Sequence, residues 1–365
     1  MELKKLLLTG SHAGSTAIAV IEEIKKRNIN VEIHWIGKKY AEEGKDTKTL
    51  EYNNLTKYGV IFHNLETGKI QTKFTKFTIP ALLKIPSGFI KGYKLIKEIK
   101  PDLTFSFGSA AGAISVFWSS FLGIPSIIHE QTATAGRANI ISSYFAKKVL
   151  ISRETSAVFF NKLKTELVGN PINSNFKKYI GENRNTRIKS ILVTGGSRGS
   201  TWLNDAILPI IPQLLGKYYL MHQTGESNLN NMKSEVKLGE SVKDRYLAFG
   251  QIDPVNMAEV FSKADLVIAR SGANTTSEIL ALKKPCILVP IPWTYNDEQQ
   301  KNAEYLEKLG LATILLQKEL TPQKLLFAIN KIVDNYQKII KSTEDIESPD
   351  LLAQEKIVDE IEKFI

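Results

Sequence analysis

Ile191-Leu192-Val193-Thr194-Gly195-Gly196-Ser197-Arg198-Gly199-Ser200 is an apolar run that breaks into a glycine turn, and the pattern occurs twice. The earlier copy is Leu6-Leu7-Leu8-Thr9-Gly10-Ser11-His12-Ala13-Gly14-Ser15. Both contain T-G-[SG]-x-x-G-S and both lead into a helical pattern, residues 16–24 in the first case. A run without in/out alternation predicts a strand buried on both faces, as in a parallel sheet covered by helices. Val149-Leu150-Ile151, Leu266-Val267-Ile268 and Cys286-Ile287-Leu288-Val289 are runs of the same kind, and residues 257–261 form another helical pattern. Strand–helix alternation along the chain reads as α/β, and the repeated opening predicts two similar domains. Turn residues Gly169-Asn170-Pro171 mark the boundary, with the Asn- and Lys-rich segment 173–189 as linker.

The length of 365 residues suits two domains, and 43% apolar with 24% charged residues excludes a disordered or fibrous chain. A single cysteine, Cys286, excludes a disulfide framework and a cysteine-based zinc site; it reads as a small buried hydrophobe. Residues 1–172 carry 24 Lys and Arg against 14 Asp and Glu, whereas 173–365 carry 24 against 24. The whole net charge of +10 thus sits in the first half, which points to an anionic partner, a membrane surface or a nucleic acid. The three leucines at 6–8 are too few for a signal-peptide core of ~7–15 residues, and no run approaches the ~18 apolar residues of a spanning helix. A cytoplasmic protein is expected. There is no Asp-x-Asp and no His/Asp/Glu cluster at metal-ligand spacing, so neither a metal nor another cofactor is expected. No aromatic-basic RNA module or DNA-reading motif is present, so no nucleic acid is expected either.

Several segments carry candidate chemistry, each with a plainer alternative. The loop Gly195, Gly196, Ser197, Arg198, Gly199 and the helix after it suit a diphosphate through close backbone approach and unpaired N–H groups, or form a structural turn only. In 266–278, Glu278 is placed to accept from both hydroxyls of a ribose, or to close a capping box with Thr275. In 290–303, Asp297, Gln299 and Gln300 suit sugar hydroxyls, or make up a solvated first helical turn. His129, Glu130 and Gln131 fall at a strand's carboxyl end, where open α/β sheets bind ligands. His12, inside the first glycine loop, is a candidate general base or a structural histidine. Residues 77–97 interleave apolar groups, including Leu82, Leu83, Ile85, Phe89 and Ile90, with lysines. That pattern fits an anionic membrane surface, or a core helix with a lysine-coated outer face.

In order along the chain, the sequence resembles the MurG family of bacterial glycosyltransferases. The resemblance rests on Lys100-Pro101-Asp102, Gly123-Ile124-Pro125, His129-Glu130-Gln131, Gly169-Asn170-Pro171, Thr194-Gly195-Gly196-Ser197-Arg198-Gly199, Ala264-Asp265-Leu266-Val267-Ile268, Arg270-Ser271-Gly272-Ala273, Ser277-Glu278 and Asp297-Glu298-Gln299-Gln300. It is close in the C-terminal half and looser in the N-terminal half. It implies a GT-B fold, two Rossmann-like domains facing each other across a cleft. Their bounds would be 1–172 with a returning helix 350–365, and 173–349. It implies inverting transfer of GlcNAc from UDP-GlcNAc to the C4 hydroxyl of undecaprenyl-diphosphate-linked MurNAc-pentapeptide, turning lipid I into lipid II for peptidoglycan. The enzyme would be peripheral on the cytoplasmic face of the inner membrane.

By the same resemblance, Ser197 and its loop cradle the diphosphate and Glu278 holds the ribose. Ser271, Gly272, Ala273, Asn274, Thr275 and Thr276 line the loop against the nucleotide, Ile252 abuts the uracil, and Gln299 and Gln300 meet the GlcNAc. Gly10, Ser11, Ala13, Gly14, Ser15, His129, Gln131 and Thr132 fall on the acceptor side, with His12 as base and Glu130 as second candidate. Departures also fall there. The family's first loop, GGTGGH, is Gly10-Ser11-His12-Ala13-Gly14-Ser15, Ser109-Ala110-Ala111 lacks a tyrosine, Thr132 replaces an asparagine, and Asn173 a basic residue. Alternatives are a GT-B transferase with another acceptor, a UDP-GlcNAc 2-epimerase, and a non-catalytic UDP-sugar-binding protein.

Overall fold

Leu6, Leu7 and Leu8 are all fully buried, as a strand covered on both faces requires. A computed structural model describes residues 3–11, 13–40, 48–68, 78–181, 185–196, 199–236 and 239–365, and of residues 50, 78–82, 240 and 241 the backbone alone. The chain divides into two compact units, Met1–Ile172 with Pro349–Ile365, and Asn173–Ser348.

In the first unit the strands are β1 (Lys4–Thr9), β2 (Val31–Gly37), β3 (Ile61–Asn64), β4 (Leu103–Ser106), β5 (Ser126–Glu130), β6 (Lys148–Ile151) and β7 (Thr165–Leu167). Among the described residues they form one parallel sheet in the order β3-β2-β1-β4-β5-β6-β7. Successive residues of β1 face opposite cores. Leu6 and Leu8 join Trp35 and Phe105 under the Gly14–Lys26 helix, where Ile357, Val358 and Ile361 of the Ala353–Glu362 helix also pack. Leu7 joins Ile36, Ile96, Ile99 and Ile114 under the Thr78–Ile99 and Ser109–Phe121 helices.

The last segment is locked to this unit by a buried ion pair. Asp350 is fully buried, and its two oxygens accept from Arg153 at 2.6 and 2.7 Å and from the Asn170 N–H at 2.7 Å. Gly169 beside them is left-handed (φ 93°), and a Cβ there would run into the Pro349 carbonyl. At the far end, Arg27 bridges Asp359 at 2.6 Å and Glu362 at 2.7 Å.

The second unit holds β8 (Ser190–Thr194), β9 (Tyr219–Gln223), β10 (Tyr246–Phe249), β11 (Leu266–Ala269), β12 (Cys286–Leu288) and β13 (Ala312–Ile314). Its parallel order among the described residues is β10-β9-β8-β11-β12-β13. The strand order reverses between β8 and β11, the point where open α/β sheets receive ligands. One core face collects Ile191, Val193, Leu266 and Ile268 against Leu325, Ile329, Ile332 and Tyr336 of the Pro322–Ser342 helix. The segment read as a linker is corrected in part. Ser174–Tyr179 is a 3-10 helix whose Phe176 is fully buried and packs edge-on against Phe261, so it belongs to this unit's core. None of the helices, among the described residues, is long and apolar enough to cross a membrane.

Candidate active site

The carboxyl ends of β8, β11 and β12 gather most of the sequence-derived donor residues. At the end of β8 the Gly196 N–H donates to the Thr194 hydroxyl at 3.1 Å, and the Gly199 N–H to the Gly196 carbonyl at 2.9 Å. Gly199 is left-handed (φ 73°), and any Cβ would meet the Thr224 carbonyl, so only glycine fits. Ser200 caps the Thr201–Ile207 helix by accepting from the Leu203 N–H at 3.4 Å. Ser197 and Arg198 lie outside the described residues.

Behind this loop runs a chain of buried polar groups. The Tyr246 hydroxyl donates to His222 Nδ1 at 3.1 Å, His222 Nε2 donates to Asn204 Oδ1 at 3.0 Å, and Asn204 Nδ2 donates to the Thr224 carbonyl at 2.9 Å. Burial pushes the His222 pKa down to about 4, which keeps the ring neutral and fits this single tautomer. The carbonyl that Gly199 packs against is thereby held in place.

From β11, Arg270 reaches across. Its Nε donates to Ser200 Oγ at 3.1 Å and its Nη1 to the Val289 carbonyl at 3.0 Å, tying the loops after β8, β11 and β12 together. Burial lowers its pKa to about 10. In the sequence, Arg270 stands in a family-like segment with no role of its own. An arginine closing a run of buried residues was the available signal, because a buried guanidinium must spend its donors on specific acceptors.

The Ala273–Ala281 helix starts at this point, with Gly272 in the cap position. The capping-box alternative is therefore corrected. Thr275 is already inside the helix, and Thr276 Oγ donates back to the carbonyls of Gly272 at 3.1 Å and Ala273 at 2.9 Å. Glu278 is left 9% exposed with no hydrogen-bond partner among the described residues, and burial pushes its pKa up to about 8. A carboxyl so placed, one turn from a helix N-terminus with its positive dipole end, is set to take ligand hydroxyls. Asn302 Nδ2 donates to the Ser271 carbonyl at 3.1 Å and joins the Glu298–Lys308 helix to the same site. Gln299 Oε1 accepts from the Ile291 N–H at 3.1 Å, and Gln300 Nε2 donates to Glu304 at 3.0 Å. Gln300 is thus partly committed within its own helix, and Asp297 is an exposed residue at that helix's start. Ile252 is half-buried in the segment after β10.

The first unit presents a different picture. Gly10 follows β1 and the Gly14–Lys26 helix begins without a side-chain cap at Ala13; Ser11 is exposed and Ser15 half-buried. His12 lies outside the described residues. Glu130, the second candidate base, is turned inward. It is buried and accepts four hydrogen bonds, from the Thr132 N–H (3.1 Å), Thr132 Oγ (2.8 Å), the Gly136 N–H (2.9 Å) and Asn139 Nδ2 (3.0 Å). Burial raises its pKa, but its oxygens are occupied in closing the 131–136 loop. His129, placed on the acceptor side by the resemblance, is turned inward as well. It is fully buried, its Nε2 donates to the Gly169 carbonyl at 2.9 Å, and burial lowers its pKa to about 4. Gln131 Nε2 donates to the Phe107 carbonyl at 3.4 Å. Ser109, left-handed at φ 82° after Gly108, is a strained residue the sequence gave no sign of.

Leu83 and Ile90 are 74% and 58% exposed on the Thr78–Ile99 helix, beside the exposed lysines 84, 91, 94 and 97. Ile85 is half-buried, and the Leu82 side chain lies outside the described residues. Phe89 is half-buried, and its ring centroid lies 5.1 Å from that of Phe117 and 4.8 Å from that of Trp118. The same aromatic cluster continues to exposed Phe121 and, through Phe145, toward exposed Tyr144.

The chain matches the glycosyltransferase family 28 N-terminal domain over residues 15–151 and the family 28 C-terminal domain over 190–361. It is 31% identical over 352 residues to a UDP-N-acetylglucosamine--N-acetylmuramyl-(pentapeptide) pyrophosphoryl-undecaprenol N-acetylglucosamine transferase of Bacillus cytotoxicus, covering 92% of each chain. A Geobacter sulfurreducens protein of the same name is 31% identical over 341 residues, 91% of this chain and 90% of that one. Among solved structures, MurG of Acinetobacter baumannii is similar with a TM-score of 0.70, 23% identity and 99% coverage of both chains. UDP-GlcNAc 2-epimerase of Neisseria meningitidis bound to UDP-GlcNAc is similar with a TM-score of 0.66, 14% identity and coverage of 99% and 100%. These structures share the GT-B fold.

Proposed function

As this chain belongs to the MurG family, built from the two family 28 domains, we infer that it is an N-acetylglucosaminyltransferase. It moves GlcNAc from UDP-GlcNAc to MurNAc-pentapeptide carried on an undecaprenyl diphosphate, a step of peptidoglycan synthesis. The second unit binds the donor and the first receives the lipid-linked acceptor. The observation that carries the donor assignment is Glu278, a buried carboxyl without a hydrogen-bond partner among the described residues, at the sheet's switch point. It takes the ribose hydroxyls. The glycine loop after β8, which carries Ser197 and Arg198, and the first N–H groups of the Ala273–Ala281 helix meet the diphosphate.

The acceptor C4 hydroxyl attacks the sugar's anomeric carbon directly, with inversion, and the bond to the UDP oxygen breaks. His12 takes the hydroxyl proton as the oxygen becomes nucleophilic. Charge developing on the UDP oxygens is met by oriented N–H groups and the helix dipole, which need no reorganisation as the bond breaks. No metal is called on for this, so undiminished turnover in EDTA is expected. Replacing His12 with Ala should lower kcat at least ~100-fold at saturating donor. Near-normal kcat would remove His12 from this role.

The enzyme works on the cytoplasmic face of the cell membrane, held there peripherally. Supporting this, the first unit with its returning segment carries 26 Lys and Arg against 19 Asp and Glu, a net +7. Leu83 and Ile90 stand among lysines, the composition that binds anionic headgroups with shallow apolar insertion. Transfer to a lipid I analogue, seen as a product heavier by one N-acetylhexosamine, tests the activity. UDP release without an acceptor would favour an epimerase instead.

A further inference from the structure

The two T-G-[SG]-x-x-G-S turns begin alike but are held differently. In the second unit Thr194 ends β8 beside Gln223, the last residue of β9, and the two are paired in register. They are 3% and 1% exposed. The Thr194 hydroxyl oxygen accepts from the Gly196 N–H at 3.1 Å, and its own proton goes to Gln223 Oε1. A hydroxyl has one proton to give, so the carboxamide oxygen fixes where it points and leaves the lone pairs to Gly196. The next residues of the chain hold the other side of the loop, where Gly199 lies against the Thr224 carbonyl and the Gly225 backbone.

In the first unit the matching residues are Thr9, which ends β1, and Ile36 of β2, paired in the same way. Isoleucine offers no acceptor, and the Thr9 hydroxyl is fully buried with no hydrogen-bond partner among the described residues. The fold therefore builds such a turn without a carboxamide beside it. Gln223 is also unfavourable where it stands. Its Nε2 is buried with no partner among the described residues, and a buried amide left unpaired destabilises the folded state. An apolar side chain of similar length would suit the core better. What the glutamine supplies is its hold on Thr194 and, through it, on the peptide between Gly195 and Gly196.

We propose that Gln223 is a positioning residue for the donor diphosphate. Acting through the Thr194 hydroxyl, it fixes the first peptide of the glycine loop in the orientation that receives the phosphate oxygens. Gln223 itself touches no substrate atom. The proposal rests on the UDP-sugar reading above.

Isothermal titration of the full-length protein with UDP and with uridine, beside thermal melts, tests this. Gln223→Met/Thr194→Val removes the relay and both buried polar groups together, so its Tm should stay within about 3 °C of wild type or rise. Its UDP affinity should fall about tenfold, while uridine, held through its ribose, changes by less than about twofold. Thr194→Val alone should lose as much UDP affinity as the double variant, and Thr194→Ser, which keeps the hydroxyl, should bind UDP as wild type does. Equal weakening of UDP and uridine would overturn the proposal, as would a double variant whose Tm falls beyond that margin or a Thr194→Ser variant as weak as Thr194→Val. UDP bound normally by wild type and double variant alike strikes the proposal and leaves the UDP-sugar reading standing. Wild-type protein that binds no UDP overturns that reading and this proposal with it.

Discussion

Replacing Glu278 with Gln should stabilise the second unit and weaken its hold on UDP, and the two effects separate by pH. Burial raises the carboxyl pKa from 4.5 to about 8. Between those values the native state keeps a proton that the unfolded chain has released. The native state therefore binds more protons, and stability falls as pH rises through the window. At ~1.4 kcal/mol per unit, the ionised form carries a ceiling of roughly 5 kcal/mol above pH 8. A buried glutamine amide is neutral throughout but costs about 1–2 kcal/mol of its own when unpaired. The variant should then match wild type near pH 5 and exceed it by about 3 kcal/mol at pH 8.5, or roughly 6–12 °C in Tm for a unit of this size. Circular dichroism melts of both proteins at the two pH values measure this. A gap that does not change with pH, or a variant less stable at pH 8.5, would refute a buried, uncompensated carboxyl. At pH 8.5, saturating UDP should protect wild type far more than the variant, whose UDP affinity should fall about 10–100-fold with the loss of a charged acceptor.

Gly199→Ala forces a left-handed alanine against the Thr224 carbonyl, and should cost about 1–2 kcal/mol in urea unfolding with a UDP affinity loss of at least ~10-fold by titration. Unchanged UDP binding would show that the loop does not hold the nucleotide. Arg153→Met strands Asp350 without its cation and should cost about 3–5 kcal/mol, most of it recovered in Arg153→Met/Asp350→Leu. Additive losses in the double variant would contradict that account. Leu83→Ser with Ile90→Ser should abolish sedimentation with anionic vesicles at unchanged Tm, whereas Phe89→Ser should lower Tm through its packing on Trp118. Vesicle binding indifferent to both exposed positions would remove this helix from the membrane surface.

The interior strands were plain in the sequence because parallel strands covered on both sides leave uninterrupted apolar runs, as at Leu6–Leu8 and Ile191–Val193. The repeated T-G-[SG]-x-x-G-S exposed both glycine turns for a related reason, since positions such as Gly199 admit no side chain. Edge strands were not legible: β7 and β13 are half-buried and carry no such run. Phe176 was hidden in an Asn/Lys-rich stretch because a single buried ring is enough to anchor a 3-10 helix. At Glu278 the spacing fitted either a cap or a ligand, and Gly272 in the cap position removes only the first. The hydrogen bonds that hold Glu130 were not legible because its partners Gly136 and Asn139 reach it only through the folded loop. Arg153 and Asp350, 197 positions apart, pair for reasons of topology that no local pattern encodes.

Acceptor-dependent transfer from UDP-GlcNAc is measured most directly as UDP release with and without a lipid I analogue, with the products identified by mass spectrometry. UDP should appear only when the analogue is present, in step with a product carrying one added N-acetylhexosamine. UDP released at the same rate without acceptor, or none released with it, would contradict the account.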